Sequence, residues 1–149
     1  MPDNSSIMGF NYDTEESAVE KLKTAPERLE VFIQQIRKKE KGIFNDYEGD
    51  TPEESTRELA KLIEPYSVTA PFYIEEDKCI GCGLCEKICT AKAIQMQEGK
   101  PVWVKDHCKI CLACINRCPK EAIQYADKSQ NVFRYTFSKY MKRANMDRV

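Results

Sequence analysis

Cys79-Ile-Gly-Cys82-Gly-Leu-Cys85-Glu-Lys-Ile-Cys89 is followed by a second stretch of the same spacing, Cys108-Lys-Ile-Cys111-Leu-Ala-Cys114-Ile-Asn-Arg-Cys118. An offset of 29 residues superposes all four cysteines of one stretch on those of the other. The match continues outside them: Asp77 falls on Asp106, and Ala93-Ile94-Gln95 falls on Ala122-Ile123-Gln124. Repetition at a fixed period is the mark of a duplicated structural unit. Each unit is predicted to run strand, cysteine loop, short helix, strand. Residues 72–74 and 102–104 are the entering strands, and 94–97 and 123–125 the leaving ones, with Glu98-Gly99-Lys100 as a hairpin turn.

Three thiols spaced two residues apart curl a loop around three irons of an iron–sulfur cube, and the fourth iron needs a ligand from elsewhere. Zinc is the competing reading. Zinc sites pair two well-separated CxxC knuckles around one ion, whereas three cysteines in a seven-residue loop suit a cube. The CxxxCxxC order of radical enzymes that cleave S-adenosylmethionine is absent from both loops, and with every iron capped no substrate chemistry is expected at a cluster. Gly81 and Gly83 allow the backbone to approach the first cluster closely and aim N–H groups at sulfur. Lys109, Ile110, Leu112 and Ala113 stand at the matching places of the second loop, so its cluster is expected to sit in a different environment and the two potentials need not be equal. His107, the single histidine, precedes Cys108 and is read as a solvated neighbour, with a hydrogen bond near the second cluster as the functional alternative.

Residues 72–125 resemble the clostridial-type ferredoxins that carry two [4Fe-4S] clusters. The resemblance implies an α+β two-cluster ferredoxin fold with a pseudo-twofold repeat of short antiparallel strands and two short helices. It also implies crossed ligand sets: Cys79, Cys82, Cys85 and Cys118 for one cluster, and Cys108, Cys111, Cys114 and Cys89 for the other. A proline follows the fourth cysteine in that family. Pro119 matches, but Thr90 stands after Cys89, a departure read as tuning of one cluster. Tyr73 resembles the aromatic that packs beside a cluster, and Val102, with Trp103 next to it, takes its place in the other half. A wider resemblance, to the rear of a flavodoxin–ferredoxin fusion family, implies an FMN-binding domain upstream, yet this chain has no phosphate-cradling loop and only Gly9 before Gly42. The sequence is accordingly read either as a natural short form or as a piece of a longer protein.

The flanks read differently. Residues 1–70 are expected to form an α-helical N-terminal segment, 71–126 the ferredoxin domain, and 127–149 a basic tail. Thr24, Pro26 and Glu27 give a helix start, and Leu29, Phe32, Ile33 and Ile36 make an apolar stripe on a helix ending at Gly42. Lys38, Lys39 and Lys41 near its end suit the helix dipole. Thr51, Pro52 and Glu54 start a second helix with the stripe Leu59, Leu62, Ile63 and Tyr66, broken near Pro65. A shorter helix is predicted over 14–23, and a linker over 45–50. Phe133, Phe137, Tyr140 and Met141 recur at helical spacing in the tail.

Apolar residues at 42% and charged ones at 32% describe a globular protein, and no charge-free run is long enough to span a bilayer. The N-terminus lacks the pattern of a secretory signal, so a cytoplasmic location is expected, where eight regularly spaced cysteines bind metal rather than form disulfides. Net charge is −6 over residues 1–71, +1 over 72–125 and +4 over 126–149, summing to −1. A basic tail this short on a chain with an acidic front argues against nucleic acid. The expected role is a single-electron carrier with redox-protein partners, a flavoprotein among them. The alternative is a relay module or subunit of a larger flavin-dependent oxidoreductase. A third reading, an iron–sulfur sensor, finds no effector or DNA-binding element in the sequence.

Overall fold

Four short strands and two five-residue helices frame the cysteine loops. The computed structural model describes residues 7, 13–42 and 50–144. The linker expected over 45–50 lies, Asp50 apart, outside the described residues.

β1 (Phe72–Ile74) pairs antiparallel with β4 (Ile123–Tyr125), with Phe72 opposite Tyr125 and Ile74 opposite Ile123. β2 (Ile94–Gln97) pairs antiparallel with β3 (Lys100–Trp103). The turn between β2 and β3 is tighter than the sequence suggests. Glu98 and Gly99 both take positive φ, 49° and 79°, and make a two-residue connection that leaves Lys100 in the strand opposite Gln97. Such turns match the twist of the strands they join and need left-handed backbone at both positions. Helix α3 (Leu84–Ile88) follows the first cysteine loop and α4 (Ala113–Arg117) the second. The core under the loops gathers Ile7, Phe72, Leu112, Ile115, Ile123 and Tyr125. Phe72 holds its centre, stacked on Trp103 at 5.7 Å between ring centroids and edge-on to Tyr125 at 4.9 Å.

The N-terminal helices form, with altered bounds. One continuous helix, α1 (Glu15–Arg37), replaces the two expected over this region. Its cap is Thr14, whose hydroxyl accepts from the Ser17 N–H at 3.2 Å. Thr24 is interior, and its hydroxyl donates back to the Lys21 carbonyl. Pro26 therefore sits inside the helix and costs one hydrogen bond; a proline can open a helix, but a well-capped turn upstream runs through it when its own face is anchored. That anchor is Ala18 and Leu22, both fully buried. The helix stops at Arg37, before Gly42, and Lys39 adopts the left-handed backbone beyond it. Helix α2 (Pro52–Ile63) begins where expected and tightens into a 3-10 turn over Glu64–Tyr66. The apolar stripes are exposed: Leu29, Phe32, Ile33 and Ile36 on α1, with Ile36 at 74%, and Leu59 and Leu62 on α2.

Among its described residues the C-terminal segment carries a one-turn helix, α5 (Phe137–Tyr140), and Phe133 precedes it in irregular chain. It nonetheless packs. Tyr140 is fully buried against Leu22 and Ala144 with Val19, Phe133 and Tyr135 around it, and its hydroxyl donates to Glu15 at 2.7 Å.

Candidate metal centre

Two hollows, partly open to solvent, lie under the cysteine loops. The first is lined by Cys79, Cys82 and Cys85 together with Cys118. The second is lined by Cys108, Cys111 and Cys114 together with Cys89. Each hollow thus takes three thiols from one loop and one from the other. All eight cysteines are free thiols. Among the described residues no three His, Cys, Asp or Glu side chains gather as a single metal ion would need.

The local backbone explains the arrangement. Gly81 and Gly83 take φ of 67° and 70°, and the residues 29 positions on, Ile110 and Leu112, take 49° and 52°. Lys92 and Glu121, a further pair at that offset, both take 51°. The second loop holds this conformation against the penalty that a β-carbon imposes on left-handed backbone, about 1–2 kcal/mol per residue. Burial of Leu112 and half-burial of Ile110 in the core offset it. Gly81 has a second reason to lack a side chain, since a β-carbon there would stand 2.8 Å from the Gly99 carbonyl oxygen.

Backbone N–H groups point at sulfur: Ala93 donates to Cys89 Sγ, Ala122 to Cys118 Sγ and Ile110 to Cys108 Sγ, each at 3.3 Å. Thr90, where the family has proline, turns its hydroxyl to Cys111 Sγ at 3.9 Å. Burial pushes the Cys85 and Cys108 thiols up from their ordinary range and Cys114 up to about 12, so metal must displace protons that the unliganded site holds tightly. An all-thiol donor set, preformed space and N–H groups directed at sulfur fit an iron–sulfur cluster.

Gly83 and Pro119 line the first hollow, whereas Gly81 faces the β2–β3 turn. Tyr73 lines neither hollow: alternation along β1 turns Phe72 inward and Tyr73 outward, where its hydroxyl accepts from Gln130 Nε2 at 2.6 Å. In the second half Trp103, not Val102, lines the hollow.

Residues 78–136 match the 4Fe-4S dicluster domain. The chain is 38% identical over 53 residues to a ferredoxin of Methanothermococcus thermolithotrophicus, a match covering 34% of this chain and 88% of that protein. The chain belongs to the ferredoxin family. Iron–sulfur electron transfer is the chemistry of the ferredoxin domain, which acts as an electron carrier. The PorD component of pyruvate synthase from Methanocaldococcus jannaschii is 39% identical over 51 residues, 34% of this chain and 59% of that one. A component of an ion-translocating oxidoreductase complex of Methanosarcina acetivorans is 44% identical over 46 residues, 31% of this chain and 17% of that one. The chain thus spans a small to moderate part of several curated relatives. No solved structure matches. No described helix is long and apolar enough to cross a membrane.

Sequence reasoning misses a buried polar anchor. Arg134, 5% exposed, donates from Nη2 to Gln124 Oε1 at 2.8 Å and to the Ser129 carbonyl at 2.7 Å, and Ser129 Oγ donates to the same Gln124 oxygen. Burial lowers the Arg134 pKa. An arginine in a basic tail reads as a solvated charge, and no local pattern marks this one.

Proposed function

We propose that the chain is a cytoplasmic carrier of single electrons holding two [4Fe-4S] clusters in a pseudo-twofold ferredoxin domain over residues 71–126. Cys79, Cys82, Cys85 and Cys118 would hold the first cluster, and Cys108, Cys111, Cys114 and Cys89 the second. The observation that carries this reading is that each hollow collects four thiols from two different loops. The shared left-handed positions 29 residues apart support the pseudo-twofold relation. When bound, each cluster takes up and gives back one electron. The protein's part is position, burial and hydrogen bonds: the N–H groups of Ala93, Ile110 and Ala122 stabilise charge on sulfur, and the Thr90 hydroxyl does so on one side alone. Gly83 and Pro119 shape the first site. Helices α1 and α2 form a helical segment preceding the domain. Residues 127–149 supply a basic tail that the Tyr140 and Arg134 contacts hold to the rest.

A second reading has the chain as a relay module of a larger redox assembly, flavin-dependent or otherwise. It is favoured by the exposed stripes on α1 and α2 and by relatives named as subunits of pyruvate synthase and of an ion-translocating oxidoreductase complex. Anaerobic purification followed by iron and sulfide analysis and a redox titration read by EPR tests the first reading. Two reducible cubane signals are expected, and a zinc protein without sulfide would end it.

A further inference from the structure

The two halves of the repeat present different charge to solvent. Counting 29 residues on, exposed Glu76 becomes exposed Lys105 and exposed Ile80 becomes exposed Lys109, while exposed Glu121 corresponds to exposed Lys92 in the first half. Because the residue after each fourth cysteine belongs with the opposite loop, Lys92 against Glu121 adds to the contrast, which Lys120 (where the other half has Ala91) and Lys78 (where it has His107) reduce without cancelling. The segment 90–92 meets the second hollow through Thr90 and Ala91, and 119–120 meets the first through Pro119 and Lys120. Asp106 is the acid inside the basic stretch, matched by Asp77 in the other half, so it does not alter the difference.

The basic side is also a groove. Ile63, at the end of α2, Lys105, His107, Cys108 and Lys109 are among the residues lining an open depression. Cys108 lines this groove and the second hollow alike, so whatever lies in it is one side chain from the cluster position. Lys105 Nζ donates to the Ala91 carbonyl at 2.9 Å, which fixes its ammonium at the rim. In the first half the nearby lysine turns inward instead: Lys100 Nζ donates to the Glu76 carbonyl at 2.7 Å and reaches the Cys79 carbonyl at 3.5 Å. We propose that the groove bordered by Lys105, His107 and Lys109 beside Cys108 is the docking surface for a redox protein with an acidic face. The choice of a carboxylate-bearing protein rests on charge complementarity around a site one residue thick. The inference depends on the cluster-binding reading only for its purpose; the docking itself is a property of this surface.

The test uses the full chain with its clusters assembled and a flavodoxin, a one-electron flavoprotein with an acidic surface around its flavin, as the probe. Calorimetric titration is expected to show binding that weakens steeply between low and high salt. Carbodiimide coupling, which joins lysine to carboxylate, is expected to link Lys105 and Lys109. The double variant Lys105→Gln, Lys109→Glu should weaken binding at low salt at least five-fold, while Glu76→Lys leaves it unchanged within two-fold. Binding that ignores salt, no binding at all, cross-links confined to Lys78, Lys120, Lys139 or Lys142, or a double variant that binds like the parent would each overturn the proposal. Iron and sulfide contents of the same preparations report separately on the cluster reading.

Discussion

Substituting Gly81 and Gly83 by alanine separates two costs that the structure assigns differently. Both glycines are left-handed, φ 67° and 70°. Alanine at either should cost about 1–2 kcal/mol in backbone strain, reduced by about 0.4–1 kcal/mol because the unfolded chain loses freedom. At Gly83 little else opposes the change: the nearest atom to the new β-carbon is Met96 Cγ at 3.9 Å, an ordinary contact. At Gly81 the β-carbon meets the Gly99 carbonyl oxygen at 2.8 Å. That oxygen belongs to the two-residue β2–β3 turn, which cannot swing aside without loosening the hairpin. Overpacking of this kind adds about 1–3 kcal/mol. The assay is loss of the visible iron–sulfur absorbance at fixed temperature under anaerobic conditions, since unfolding with cofactor loss is best compared as a rate. With each 1.4 kcal/mol worth about ten-fold in rate, Gly81→Ala should bleach about 5- to 150-fold faster than Gly83→Ala. Gly99→Ala, whose β-carbon meets nothing within 4 Å, should resemble Gly83→Ala. Equal lifetimes for Gly81→Ala and Gly83→Ala would refute the close approach as the cause.

Crossed ligation predicts a crossed phenotype: Cys118→Ala should perturb the cluster of the first loop and Cys89→Ala that of the second, read as loss of one EPR signal in each variant. Thr90→Val removes a donor from Cys111 and should lower the potential of the second cluster, because hydrogen bonds to sulfur favour the reduced state; potentiometric titration checks it. Arg134→Met deletes two charge-assisted hydrogen bonds, a loss of about 2–4 kcal/mol once relief of the buried charge is set against them, and Arg134→Lys should not restore it, since the ammonium lacks the guanidinium's planar fork; thermal bleaching reads both. Hydrogen bonds from Tyr140 and then Arg143 hold the Glu15 carboxyl below its ordinary 4.5. A depressed acid stabilises above its unfolded pKa and loses that contribution as pH falls through its folded value, so the contact between α1 and the C-terminal segment should loosen below about pH 4.5. Amide exchange in residues 15–22 and 137–144, corrected for intrinsic rates, would report this.

The strands are legible in the sequence because they depend on short-range signals: apolar triplets, a Gly-containing turn and a repeat offset that any observer can count. Sequence and structure part where two local rules compete. Thr24-Pro26-Glu27 is a good helix start, but Thr14 with Ser17 is a start as well, and burial of Ala18 and Leu22 lets the earlier one prevail. Glycine at 81 and 83 announces left-handed backbone, whereas Ile110 and Leu112 conceal the same conformation, because core burial compensates for strain that no propensity registers. Analogy puts Tyr73 beside a cluster, and one-residue alternation along β1 puts it on the other face. The Gln124–Ser129–Arg134 anchor joins residues five and ten apart through irregular chain, a spacing with no periodic signature.

The pairing of β1 with β4 brings Phe72 opposite Tyr125, and the Ala126 N–H donates to the Pro71 carbonyl at 2.9 Å. The chain therefore enters and leaves the cysteine-bearing unit through one doorway. A unit with adjoining ends can be spliced into a surface loop of a host chain, or strung in series, without stretching either neighbour. Evolution can therefore change what is attached at that doorway, while Ile7 on one side and the Ser129 and Arg134 contacts on the other have to travel with residues 72–125.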